Sequence, residues 1–423
     1  MNKSADNRLN NIIIFFLGMN RLANILFVWE RGGGTGHLVS HLQLIQSLMA
    51  RNHRVLFVVK QTATAARILN PIGCPFIQSP PAGVRLPLEQ RMWPLHSLHQ
   101  MLFNIGFHDP QQTAGRIQAW RKIYADFKPD ILFSDFSPTA LLASQGLEMA
   151  RVAVGYGFLF PPEEGYRHPM RFWGSSDPER LKKDEGRLLA VINQALDRVG
   201  TAPVDNLRPL THGQMNLIQS FPVLDPHDPR RGGDERYQLY LPEDVSGVAP
   251  VWPEGEGKKI FAYLKPTEWG LTMLKVLKAS GLSTLVFAPS IPEPYRRQMA
   301  SSSLRFSTAP LNMSQVTALC DLAVSEAGHG MTLQMMAAGR PMLMGISHIE
   351  QAINAEKVKQ AGMGLFWPSG EKGGGELPGR MIERLLSEDS FRQAAEALGR
   401  SVKADQGLWI APEALAEQIE GLL

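Results

Sequence analysis

Two side chains in this sequence have the types and placement for moving a proton. His37 follows the glycine-rich run Gly32-Gly33-Gly34-Thr35-Gly36 and opens a segment with helical spacing. The positive end of a helix disfavours imidazolium there, and the neutral ring is the form a general base requires. Asp135 closes the run Asp130-Ile131-Leu132-Phe133-Ser134. A carboxylate so placed orients a histidine ring and stabilises the imidazolium that forms, so the pair suits deprotonation of a hydroxyl nucleophile. Asp135 also fits a helix cap ahead of Pro138, and the two roles are compatible. No serine elbow or Cys/His pair accompanies them, which argues against a covalent hydrolase.

The loop Gly33, Gly34, Thr35 and Gly36 admits a ligand close to the backbone. It lacks the Gly-Lys-Ser/Thr ending of a P-loop. It is also a poor dinucleotide fingerprint, because Lys60 and Gln61 stand where an acidic residue would end the second strand. A tight turn that only packs the helix is the plainer alternative. A second cluster follows Asp321–Val324, in Ser325-Glu326-Ala327-Gly328-His329-Gly330-Met331-Thr332. Unpaired amides at a helix start there suit a diphosphate; Gly328 and Gly330 allow close approach, and His329 and Thr332 add donors. An ordinary turn would look similar. Further on, Glu350 and Gln351 open another helix and have the groups to bind sugar hydroxyls or simply to cap it.

The elements that must carry these residues alternate as strand and helix. Ile25–Trp29 reads as a strand, His37–Ala50 as a helix with apolar Leu38, Leu42, Ile45 and Leu48, and Arg54–Val59 as the next strand. Thr62–Leu69 is helical, Asp130–Ser134 and Arg151–Val154 are strands, and Pro138–Glu148 is the helix between them. Leu217–Phe221 is the last strand of this half. The second half repeats the pattern, with strands at Lys259–Leu264, Ser283–Phe287, Leu304–Ser307, Asp321–Val324 and Pro341–Met344. Helices fall at about 269–279, 313–319, 331–338 and 351–360, with closing helices over 376–401 and 412–423. Alternation of this kind predicts parallel sheets with right-handed crossovers. The fold class is therefore α/β, with two doubly wound, Rossmann-like domains facing across a cleft. Ligands then collect at the carboxyl ends of the strands.

The Pro/Gly-rich stretch 225–258 places a boundary near residue 245. The expected organisation is an extension over 1–18, an acceptor domain over 19–245, a donor domain over 246–403 and a last helix over 404–423 that packs back on the first domain. At 423 residues the chain is long enough for such a division, and 44% hydrophobic with 20% charged residues is a globular balance. A net charge of +3 without charge blocks excludes a nucleic-acid tail. Cys74 and Cys320 form neither a disulfide framework nor a zinc site. The apolar run Ile12–Leu17 is too short to span a bilayer, so a cytoplasmic protein with peripheral membrane contact is expected.

These landmarks resemble the GT-B glycosyltransferases that use nucleotide sugars, the group of UDP-glycosyltransferases and macrolide-type enzymes, and more distantly the MurG type. The likeness rests on Gly36-His37-Leu38, on the stretch Arg51-Asn52-His53-Arg54-Val55, on Asp135, and on the region Glu326 to Gln351. That region includes Gly339-Arg340-Pro341 and the Gln351-x-x-Asn354-Ala355 form. The resemblance implies a sugar donor in the second domain and an acceptor hydroxyl near His37. It implies diphosphate contacts at Gly328, His329, Gly330, Met331 and Thr332, ribose contact at Gln334, and donor-sugar contact at Glu350 and Gln351. Glu326 departs from the family pattern, standing where a phosphate-binding histidine is usual, and Lys265 is in reach to offset it. Gln334 replaces a glutamate, which weakens the case for UDP over dTDP.

Direct displacement would invert the anomeric centre, with no metal and no cofactor. The acceptor is expected to be a small molecule, a lipid or a glycan precursor; the apolar stretches 80–107 and 158–173 fit an acceptor cleft or a membrane-facing edge and fit ordinary loop packing equally well. Two alternatives accompany this reading. One is a sugar-nucleotide or glycan-binding protein without transfer activity; the other is a sugar-nucleotide epimerase of GT-B-like fold, for which Glu30 and Glu326 leave an opening.

Overall fold

The computed structural model describes residues 22–423 apart from 33–35, 229–230, 232, 241–246, 255–256 and 369–375. The expected extension, the loop positions Gly33, Gly34 and Thr35, and the boundary near 245 lie outside the described residues. Two all-parallel sheets form the framework. The first contains β1 (Asn24–Trp29), β2 (Arg54–Val59), β3 (Phe76–Gln78), β4 (Ile131–Asp135), β5 (Ala150–Gly155), β6 (Met215–Ile218) and β7 (Glu235–Tyr237), in the order β3-β2-β1-β4-β5-β6-β7. The second contains β8 (Lys259–Tyr263), β9 (Ser283–Phe287), β10 (Leu304–Ser307), β11 (Leu322–Ser325), β12 (Met342–Ile346) and β13 (Gly364–Pro368), in the order β10-β9-β8-β11-β12-β13.

The central strands are runs of β-branched and aromatic residues because both faces are covered. Along β1, Leu26 and Val28 enter one core while Ile25, Phe27 and Trp29 enter the other. Parallel pairing sets Val28 beside Ser134. The carboxyl ends of β1 and β4 therefore lie together, at the point where strand order reverses. The second sheet reverses between β8 and β11, with Tyr263 beside Ser325. Such switch points open a crevice outside the sheet. His37 and Asp135 follow β1 and close β4; Lys265 and Glu326 follow β8 and β11.

Several elements depart from the expected pattern. The segment 37–50 is not one helix; it divides at His41 into Gly36–Ser40 and Leu42–Ala50. Two long helices were not expected: Pro110–Phe127 and Pro178–Arg198. Both begin with proline at the first turn and are capped by an aspartate, Asp109 or Asp177, that accepts two backbone N–H bonds. The last helix, Pro412–Glu420, packs on Leu42–Ala50 of the first domain. Arg51 bonds Glu417 at 2.9 Å and Glu420 at 3.1 Å, and His53 Nε2 meets Glu420 at 2.7 Å. Among the described residues no helix is long and apolar enough to cross a membrane.

Candidate active site

Asp135 is 3% exposed and its Oδ2 receives two ring contacts, from His37 Nδ1 at 2.7 Å and His41 Nε2 at 2.9 Å. Burial alone would raise its pKa, but the two histidines outweigh burial and hold it well below the usual carboxylate range. An ionised carboxylate only accepts, so both rings must present N–H to it. His41 Nδ1 then carries a lone pair, and the Tyr240 hydroxyl donates to it at 2.9 Å. His37 Nε2 is likewise left with a lone pair. The Tyr156 hydroxyl lies 3.4 Å from that atom. A hydrogen-bonded chain from Tyr240 through His41 and Asp135 thus fixes the tautomer of His37.

Packing fixes the ring's orientation. Trp29 stacks on His37 with centroids 4.8 Å apart and planes at 19°. Trp29 is in turn held by the turn at Gly32, where a Cβ would fall 1.9 Å from its ring. The helix-end argument gave the wrong sign for this imidazole. Burial pulls the His37 pKa down, but Asp135 and the more distant Glu350 outweigh it, and the net shift is upward. The helix that starts at Gly36 ends at Ser40, too short to carry an appreciable dipole.

The second sheet's loops meet this histidine across the cleft. A cavity of about 230 Å³ is lined by Gly36, His37 and Tyr156 on one side and by His329, Gly330 and Gln334 on the other. Gly328 is the N-cap of the helix His329–Ala337. The first-turn amides, including those of Gly330 and Met331, have no partner within the helix, as at any helix start. Ala327 precedes the cap with a positive φ of 48°.

The side chains divide into those facing the cleft and those used in building it. His329 is 4% exposed, stacks on Tyr156 at 3.8 Å, and has Nε2 3.0 Å from the Gln219 carbonyl. Its Nδ1 lies 3.2 Å from Asn354 Oδ1, and Asn354 Nδ2 donates to the Ala327 carbonyl at 2.9 Å. Burial lowers the His329 pKa. The ring therefore joins the domains, and only its backbone amide is left for a diphosphate. The Thr332 hydroxyl is also committed, to the Gly328 carbonyl at 3.0 Å. Gln351 is 2% exposed and its Oε1 accepts from Ser347 N at 2.7 Å, which caps the loop after β12. Glu350 and Gln334 remain half-buried.

Glu326 is 5% exposed; Thr267 Oγ1 donates to it at 2.6 Å, and Lys265 Nζ stands 3.9 Å away. Lys265 thus faces the carboxylate it was expected to offset, with half of its side chain still exposed. Glu30, by contrast, turns from the cleft and accepts from Thr139 N at 2.8 Å and Trp120 Nε1 at 3.1 Å. Sequence reasoning missed His41, Tyr156, Tyr240 and Trp29. His41 had a signal, its i, i+4 spacing from His37; the two tyrosines had none, since only tertiary packing brings residues 156 and 240 to this ring.

No protein-family model matches this chain, and neither does any curated protein. Solved structures do match. CalG4, the calicheamicin glycosyltransferase, superposes with a TM-score of 0.69 at 16% identity, over 95% of this chain and 98% of that one. The glycosyltransferase of kitacinnamycin gives 0.68 at 17% identity, over 95% and 100%. VinC, solved in complex with dTDP, gives 0.65 at 14% identity, over 94% and 99%. Likeness at this level of identity is a likeness of fold, and along nearly its whole length the chain has the GT-B fold of two Rossmann-like domains.

Proposed function

We propose that the protein is an inverting glycosyltransferase that moves a sugar from a UDP- or dTDP-sugar to an acceptor hydroxyl without a metal. The observation that carries this reading is the Tyr240–His41–Asp135–His37 chain, which leaves the His37 Nε2 lone pair in a cleft shared with the helix start at Gly328. In this reading His37 Nε2 takes the acceptor proton as its oxygen attacks the anomeric carbon. The C–O bond to the nucleoside diphosphate breaks on the opposite face. The amides of Gly330 and Met331 and the Lys265 ammonium stabilise the leaving diphosphate. In the same reading Gln334 contacts the nucleotide ribose and Glu350 the donor sugar. A direct displacement needs no covalent enzyme intermediate.

The dTDP in the VinC complex supports including dTDP among the donors. A thermal-shift panel of UDP, dTDP, GDP and their sugar conjugates tests the donor site, since a ligand that binds only the folded form raises its apparent stability. A shift with one nucleotide, followed by acceptor-dependent release of that diphosphate which His37→Ala abolishes, supports transfer. A shift without such release favours a binding protein. No shift with folded protein removes the donor site at Gly328–Thr332.

A further inference from the structure

A second cavity, of about 490 Å³, lies apart from the dyad in the segment 85–105. Its walls are apolar, with Leu88, Trp93, Leu95, Met101 and Ile105. Leu88 and Trp93 are 77% and 70% exposed, so the apolar rim is left uncovered. The volume is that of a site for a small organic ligand. The charged groups around it are mostly of one sign. Arg85 and Arg91 line it, and Arg31 donates to the Ile105 carbonyl of its wall at 3.4 Å.

Arg85 is exposed and has no hydrogen-bond or ion-pair partner among the described residues. Arg91 spends only its Nε, on the Leu86 carbonyl at 2.8 Å. Behind the wall, buried Arg116 bonds Gly106 O and Thr113 through one nitrogen while its Nε and other terminal nitrogen have no partner. The nearby carboxylates act on the inner guanidinium groups, Glu30 on Arg31 and Arg116 and Asp109 on Arg116, but none forms an ion pair with Arg85 or Arg91 among the described residues. Both oxygens of Glu30 are taken by Thr139 and Trp120, and Asp109 caps the helix Pro110–Phe127. Glu89 is exposed on the turn Leu88–Gln90 and forms no ion pair with Arg85 or Arg91 among the described residues.

An apolar cavity whose rim carries unpaired guanidinium groups is complementary to one kind of molecule. We propose that this cavity binds an anionic amphiphile, with its apolar body against Trp93, Leu95 and Met101 and a carboxylate or phosphate head held by Arg85 and Arg91. Arg31 follows β1 and His37 lies in the helix Gly36–Ser40 that comes next in the chain. The acceptor of the transfer reaction is then an anionic amphiphile that carries the reacting hydroxyl. Its role as acceptor rests on the glycosyltransferase reading; its binding does not.

Calorimetric titration of the full chain with dodecanoate and with dodecanol tests the proposal, because the chain length is shared and only the head differs. Both are used as monomers, beside vesicles of phosphatidylglycerol. A charge-assisted contact predicts that dodecanoate binds about tenfold more tightly than dodecanol. Arg85→Ala should remove most of that preference. Arg85→Glu should reverse it towards dodecyltrimethylammonium. Arg85 is exposed and unpartnered, so neither variant removes a contact of the fold.

Equal binding of the two probes, no binding of either, or a preference unchanged in both variants overturns the proposal. Binding to vesicles alone also overturns it and makes the rim a membrane contact. The nucleotide panel separates this outcome from the wider reading. Dodecanoate binding without any nucleotide shift keeps the amphiphile site and removes glycosyl transfer; the converse keeps transfer and removes the site.

Discussion

Asp135→Asn is the most informative single change in the proposed base. One carboxylate oxygen holds both His37 and His41. The amide has nearly the same shape, so its oxygen can keep both contacts, but the charge is gone. When His37 takes a proton, the imidazolium then lacks one charge-assisted bond, worth about 1.5–3 kcal/mol. That corresponds to a fall of about 10- to 100-fold in kcat/KM. If the NH₂ group faces the rings instead, it donates to both and inverts their tautomers, and the loss approaches the ~10²–10⁴-fold expected for removing the base itself.

The pH profile gives the sign independently. Burial lowers the His37 pKa while Asp135 and Glu350 raise it, with a net rise. In the proposed mechanism the neutral ring is the base, so activity should climb as pH rises through this raised value. In Asp135→Asn the climb should move to lower pH. Stability follows the same linkage. The raised His37 pKa stabilises the fold at low pH, and this is lost as pH rises through the folded value. The depressed Asp135 pKa stabilises the fold above the usual carboxylate value of 3.8, and this is lost on acidification through the folded value. The assay is diphosphate release across pH, with histidine NMR titration to follow the ring without substrate. A kcat/KM within about threefold of the parent, together with an unmoved profile and an inactive His37→Ala, would refute the pairing argument.

Two further changes test the supports of the site. Gly32→Ala places a methyl 1.9 Å from the Trp29 ring that stacks on His37, so it should displace that ring. Overpacking of this kind costs about 1–3 kcal/mol by urea unfolding, and activity should fall further than unfolding accounts for; loss of neither would show that Trp29 does not position His37. Arg51→Ala removes the contacts to Glu417 and Glu420, both partly exposed, and should cost no more than about 1 kcal/mol, less at high salt. Hydrogen exchange should quicken in Pro412–Glu420 while the β1 amides stay protected; uniform quickening would mean that the last helix is integral to the first domain's stability.

Local pattern was enough for most of the elements. Thr62–Leu69, Ser283–Phe287, Leu304–Ser307 and Met313–Leu319 lie where their periodicity puts them, because apolar spacing and local hydrogen bonding act within the segment itself. The helices Pro110–Phe127 and Pro178–Arg198 were not legible in this way. Charged and polar residues cover much of both, and their apolar sides acquire meaning only against each other and against helix Pro138–Ala143. The three-residue β3 and β7 were missed for a related reason: a strand of so few residues gains its stability from its neighbours in the sheet, not from its own sequence.

For the candidate site, residue type and post-strand position were enough to name His37, Asp135 and the helix start at Gly328, which the fold brings to one cleft. Residue type could not tell which polar groups face a ligand and which are consumed in holding the fold. His329, Thr332 and Gln351 carry the right donors and acceptors, yet their side chains bond Gln219, Gly328 and Ser347. The sign of the His37 shift was decided in the same way. A carboxylate at 2.7 Å acts more strongly than the end of a five-residue helix, and that distance comes from the pairing of β1 with β4. The chemistry available to this protein was therefore present in its residue types. Which atoms are free to perform it depends on contacts between residues such as His37 and Tyr240, which are far apart in the chain, and only the folded structure brings them together.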